Sequence, residues 1–134
     1  MEEYLKNINL SLISNQTLAF IGDSVFDLYI RTYLASKSNK KTGLLHKDAI
    51  RYVSAKSQAI IIDELLDNLS EEECEIYKRG RNTSIQSVSK NADITEYKKA
   101  TGFEALIGRL YIDKNTKRLE EIINMAIKII ENRR

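Results

Sequence analysis

The sequence predicts an all-α fold, a helical bundle in one domain spanning residues 1–134. Three observations carry that expectation. Apolar residues recur at spacings of three and four along most of the chain, the period of an amphipathic helix. Proline is absent, which fits long helices joined by short connections. The chain has 134 residues, 43% hydrophobic and 30% charged, enough for one domain with a real core.

The first long helix runs from Gln16 to about Ser36, with Leu18, Ile21, Val25, Phe26, Ile30 and Tyr33 among its apolar residues. Asn15 is its expected N-cap. The wide apolar coverage predicts a buried central helix. A polar loop, SKSNKKTG, ends near Gly43. Leu44 to about Arg51 predicts a short helix, and Ser54 to Asn68 a longer one. Ser70 followed by Glu73 is a capping box that opens another short helix, which stops near Gly80. Residues 81–91, RNTSIQSVSKN, are polar and poorly periodic and predict a loop. Thr95 to Ile112 and Thr116 to about Glu131 are the last two helices. No repeat or low-complexity tract interrupts this order.

Composition excludes several classes. Cys74 is the one cysteine, which rules out an intramolecular disulfide framework and fits a reducing cytosol. His46 is the one histidine, so zinc bound by the usual Cys/His set is excluded. The start, MEEYLKNINL, has neither the basic nor the apolar region of a signal peptide. No apolar run approaches the roughly 20 residues that cross a bilayer. The expected location is the cytoplasm, with no membrane partner.

The net charge of +2 is unevenly spread. Residues 71–75, EEECE, are acidic. Between positions 78 and 99, Lys78, Arg79, Arg81, Lys90, Lys98 and Lys99 face only Asp93 and Glu96. That excess either meets a polyanion or forms a solvated charged loop.

Glycine adds a packing signal. Of five glycines, Gly22, Gly102 and Gly108 fall inside predicted helices. A helical glycine usually marks close approach of another backbone. The helices carrying Asp23 and Glu104 are therefore candidates for tight contact. Glu71, Glu72, Glu73 and Glu75 lie at a helix start where solvated acids belong, and Glu120 and Glu121 lie on the wet side of the last helix. Asp23 and Glu104 instead stand among apolar or small residues, in FIGDSV and GFEALIG. Spacing leaves two accounts open. Each acid is hydrogen-bonded separately, or the two meet and share a cation between them. With oxygen ligands alone, the natural cation is Mg2+.

The stretch TLAFIGDSV at residues 17–25 resembles the signature helix of ribonuclease III endonuclease domains. GFEALIG at residues 102–108 resembles a second helix motif of that family, and LHKDAIRYVSAKSQA at residues 45–59 resembles its short bacterial members. Those members lack an appended double-stranded-RNA-binding domain. The resemblance implies a homodimeric, all-helical ribonuclease III-like catalytic domain that cleaves double-stranded RNA with Mg2+. For the short members it further implies maturation of the large-subunit (23S) ribosomal RNA precursor. Asp23 matches the motif aspartate and Glu104 the later catalytic glutamate, both as metal ligands. Phe20 matches the apolar residue that packs across the dimer junction.

Two positions depart from the larger family members, which place further acids where this chain has Ala19 and Thr101. The departure implies a metal site richer in water. It also motivates an alternative, a catalytically inactive RNA-binding or assembly module on the same fold. Asp27 lies one turn after Asp23, as an outer ligand or, preferred here, an ion-pair partner of Arg31. The expected RNA contacts are Lys78, Arg79, Arg81, Asn82 and Lys90, with His46 and Lys47 as weaker candidates.

Overall fold

The computed structural model describes residues 1–83 and 93–133. Seven α-helices follow in order: α1 (Glu2–Lys6), α2 (Asn15–Lys37), α3 (Thr42–Val53), α4 (Ala55–Leu65), α5 (Glu71–Arg81), α6 (Ile94–Ile112) and α7 (Thr116–Glu131). A 3-10 turn at Leu66–Asn68 prolongs α4. No strand occurs among the described residues.

The expected all-α architecture is present, with small differences that have local causes. α2 is capped by Ser14, whose Oγ accepts from the Thr17 N–H at 3.0 Å, so Asn15 is the first helical residue and not the cap. The capping box of α5 is formed: Ser70 Oγ accepts from the Glu73 N–H at 3.1 Å, and Glu73 Oε1 accepts from the Ser70 N–H at 2.9 Å. Arg81, assigned by its sequence to a loop, is the last residue of α5. The short helix α1 was not expected. It is five residues long and none of them is buried, so its sequence carries little apolar pattern.

α6 is the axis of the molecule. It packs against α2, α4, α5 and α7, and nine of its residues are buried. Phe103 of α6 meets Phe26 of α2 edge to face, with ring centroids 5.1 Å apart, an arrangement favoured by the aromatic quadrupole. Ile61, Ile62 and Leu65 of α4 and Ile122 of α7 close the same core. A second small cluster, Leu18, Ala19, Ala105 and Ile112, lies where α2 and α6 cross, with Leu5 and Ile8 packed on it.

Candidate functional site

The α2–α6 crossing is set by two glycines. A Cβ on Gly22 would overlap the backbone carbonyl of Glu104 and sit 2.8 Å from the Gly108 nitrogen. A Cβ on Gly108 would overlap the Leu18 carbonyl and lie 3.1 Å from the Gly22 nitrogen. The two backbones therefore touch, and any larger residue at either position forces them apart. Gly102 and Gly80 do the same between α6 and α5. A Cβ on Gly102 would stand 2.6 Å from the Tyr77 ring, and one on Gly80 would stand 2.9 Å from the Gly102 Cα.

This crossing brings Asp23 and Glu104 together. Asp23 follows Gly22, and Glu104 supplies the carbonyl that Gly22 touches. Asp23 is solvent-exposed while Glu104 is largely covered. The Glu104 carboxyl is pushed up to about 8. Burial is the largest cause, followed by the charge of Asp23 and by a hydrogen bond shared with it. All three disfavour the ionised form of Glu104.

Gln58 is the third member of the cluster and was not among the residues expected from the sequence. It lies in α4, is 2% exposed, and donates from Nε2 to Glu104 Oε2 at 3.3 Å and to the Val53 carbonyl at 2.9 Å. Its donation opposes the other influences on Glu104 and favours the ionised form. The Gln58 Oε1 atom is buried without a partner among the described residues. A signal was available: Gln58 sits one to two turns before Ile61, Ile62 and Leu65, a polar residue on an apolar helix face.

The remaining expected residues are scattered. Ala19 is buried against Ala105 and Ile112, so a longer acid there would enter an apolar cluster. Thr101 donates its hydroxyl to the Tyr97 carbonyl at 3.0 Å. Asp27 pairs with Arg31 at 2.9 Å, the ion pair expected at that spacing. His46 lines a small cavity with Arg31 and Ala35, near the C-terminal half of α2. Among the described residues, no group of three or more His, Cys, Asp or Glu side chains gathers as metal ligands.

The last turn of α5 lies beside this cluster, since Gly80 packs on Gly102 and Ala105, which flank Glu104. Lys78, Arg79 and Asn82 are exposed on that turn and its cap. Arg81 is more committed: its guanidinium lies 5.5 Å from the Tyr77 ring centre, and its Nε donates to Asn82 Oδ1 at 3.2 Å. Lys90 lies outside the described residues. Phe20 is 78% exposed and projects beside an apolar cavity of about 880 Å3 that Ile21, Val25, Leu28 and Tyr111 also line. No helix among the described residues is long and apolar enough to cross a membrane.

Comparison with known proteins gives a consistent result. Residues 16–115 match the ribonuclease III domain. The chain is 45% identical over 126 residues to the Mini-ribonuclease 3 of Streptococcus pneumoniae, covering 92% of this chain and 98% of that one. It is 46% identical over 118 residues to the Mini-ribonuclease 3 of Enterococcus faecalis, covering 87% and 89% of the two chains. A crystal structure of a Fusobacterium nucleatum protein superposes with a TM-score of 0.80 at 35% identity, covering 87% of this chain and 93% of that one.

Proposed function

The chain belongs to the ribonuclease III family and is an endoribonuclease, and from that premise we propose that it hydrolyses phosphodiester bonds of double-stranded RNA in a Mg2+-dependent reaction, as a cytoplasmic homodimer. The family acts on double-stranded RNA and is generally dependent on divalent metal. One observation carries the proposal: at the glycine-permitted crossing of α2 and α6, exposed Asp23 and largely covered Glu104 come within interaction distance of each other.

The donor set fits a hard divalent cation. Two carboxylates face each other, and the causes that raise the Glu104 carboxyl are burial and a neighbouring negative charge. A dication offsets both of these. Asp23 and Glu104 would hold Mg2+, which supplies charge stabilisation at a phosphoryl oxygen and lowers the pKa of bound water. Two protein ligands leave most of the shell to water, as is usual for this ion. Exposed Asp23 stands on the open side, where an RNA backbone can reach it. Partly covered Glu104 and buried Gln58 form the closed side.

Exposed Lys78, Arg79 and Asn82 would contact phosphates of a duplex lying along this face, and Lys90 is proposed with them from sequence alone. Arg81 contributes less directly, because its head group already serves Tyr77 and Asn82. Double-stranded RNA is recognised mostly by shape, through phosphates and 2′-hydroxyls, so a short basic turn suits it. The apolar face around Phe20 is proposed to be covered by a second copy, since Phe20 and Leu28 are both exposed there beside the apolar cavity. A two-fold dimer would set two catalytic pairs along one duplex, one per strand. We further propose the 23S ribosomal RNA precursor as the substrate, a reading supported by likeness to the Mini-ribonuclease 3 relatives.

The test is cleavage of precursor-derived RNA duplexes by wild type and Asp23→Asn, with and without Mg2+. Cleavage by wild type with Mg2+ alone, with duplex binding retained by the variant, is the expected result. An inert wild type, or a variant as fast as wild type, removes the proposal. Sedimentation of Phe20→Asp tests the dimer: an intact dimer would take Phe20 out of the interface.

A further inference from the structure

We infer that Gln58 is a positioning residue for Glu104, a fixed donor that presents the Glu104 carboxylate to the cation; the inference rests on the assignment of Asp23 and Glu104 as the Mg2+ site. Gln58 stands in the first turn of α4, which packs on α6. Its Nε2 carries two protons. One goes to the Val53 carbonyl at 2.9 Å and one to Glu104 Oε2 at 3.3 Å. The Val53 carbonyl can only accept, and this fixes which end of the amide faces it. Turning the amide over would set Oε1 against that carbonyl. The orientation that satisfies Val53 therefore aims the second proton at Glu104.

A packing role alone does not account for this side chain. The other buried residues on the same helix are Ala59, Ile61, Ile62 and Leu65, all apolar. Gln58 instead buries a carbonyl oxygen, Oε1, that nothing among the described residues pairs, and an unpaired buried acceptor is costly. Nor is the amide needed to start α4, because Ser54 caps it by accepting from the Ser57 N–H at 3.2 Å. What the amide does provide is a hold on one Glu104 oxygen. With Oε2 engaged, the carboxylate has one rotational setting, and its other oxygen is the one presented to a cation. Outer partners of metal-ligating carboxylates act in this way, orienting the ligand without touching the metal.

The test uses the full chain and Gln58→Met, which keeps the length and the unbranched shape while removing the donor. Mg2+ alone is titrated calorimetrically, and duplex cleavage is followed over a range of Mg2+ concentrations. The expected result is a Mg2+ dissociation constant raised about tenfold to a hundredfold, a kcat that falls at low Mg2+ and recovers at high Mg2+, and an unchanged KM for the duplex. Gln58→Asn retains the amide but ends one methylene short, and the same weakening is expected. Mg2+ binding indistinguishable from wild type in either folded variant overturns the inference. Failure of both variants to fold cooperatively overturns it too, in favour of a purely structural amide. Asp23→Asn is the control. If it binds Mg2+ as wild type does, the metal site itself is misassigned and both readings fall. If it loses binding while Gln58→Met does not, only the role of Gln58 falls.

Discussion

Glu73 and Glu104 are two covered glutamates in one small helical protein, and their surroundings treat them oppositely. Glu73 is 8% exposed and fully provided for. Its Oε1 accepts from the Ser70 N–H at 2.9 Å, and Arg118 grips both oxygens, Nε to Oε2 at 2.8 Å and Nη2 to Oε1 at 2.9 Å. The hydrogen bond from Arg118 is the main cause that holds its carboxyl below the ordinary value, against the opposing effect of burial. Among the described residues, Glu104 has no arginine or lysine partner. Its neighbours are a second acid and one amide, and its carboxyl is pushed up to about 8. The difference teaches what each acid is for. An acid whose charge is already met holds structure together. An acid whose charge is unmet, beside another acid, is the place that the proposed cation would complete.

The same substitution at the two positions should therefore act in opposite directions. Glu104→Gln should cut duplex cleavage by more than about a hundredfold, beyond what the loss of an outer partner costs. Without metal it should not lower stability, and should raise it as pH increases. The sign follows from linkage. Folded Glu104 keeps a proton that the unfolded chain gives up near its ordinary value of 4.5. Its presence therefore lowers stability progressively as pH rises from there toward about 8. Melting curves of both proteins across that range, in chelator, check the prediction; parallel curves would break the comparison.

Glu73→Gln should do the reverse. It strands Arg118 and weakens the capping box, and removing one partner of a buried ion pair costs about 3–5 kcal/mol. Arg118 is itself one quarter exposed, which favours the lower end. Because Glu73 is held below its ordinary value, the stability it contributes is present above pH 4.5 and lost as pH falls through its folded value. Duplex cleavage well below the melting temperature should be unaffected, and urea unfolding measures the loss.

Asp27→Asn should have the smallest effect. Its pair with Arg31 is exposed on the α2 surface, and such pairs contribute about 0.3–0.5 kcal/mol. A large effect on cleavage would instead assign Asp27 to the cation's surroundings. Unfolding and cleavage measured on one preparation separate the two.

Local chemistry made much of this legible. The 3.6-residue period marked six of the seven helices. Three glycines inside helices announced backbone contact, and the structure places all three at such contacts. Acids amid small residues singled out Asp23 and Glu104, and of the two accounts that spacing left open the structure has them meet; i to i+4 spacing announced the Asp27–Arg31 pair. Glu73 was misjudged because a capping box in an acidic run looks solvated; its partner Arg118 lies 45 positions later. Gln58 went unnoticed for the same reason, since 46 positions separate it from Glu104. Contacts of that separation depend on how helices pack, and the period of a single helix carries no record of them. Ala19 shows the converse. Its place on the helix suits an acid, but the packing of α2 on α6 closes it.

The most direct measurement is proton release on Mg2+ binding near pH 7, by calorimetry in buffers of different ionisation enthalpy. A carboxyl held at about 8 must lose its proton to ligate metal. Wild type should release close to one proton per site, Glu73→Gln the same, and Glu104→Gln none. Mg2+ binding without proton release in wild type, or release that persists in Glu104→Gln, would contradict the assignment of this pair as the cation site.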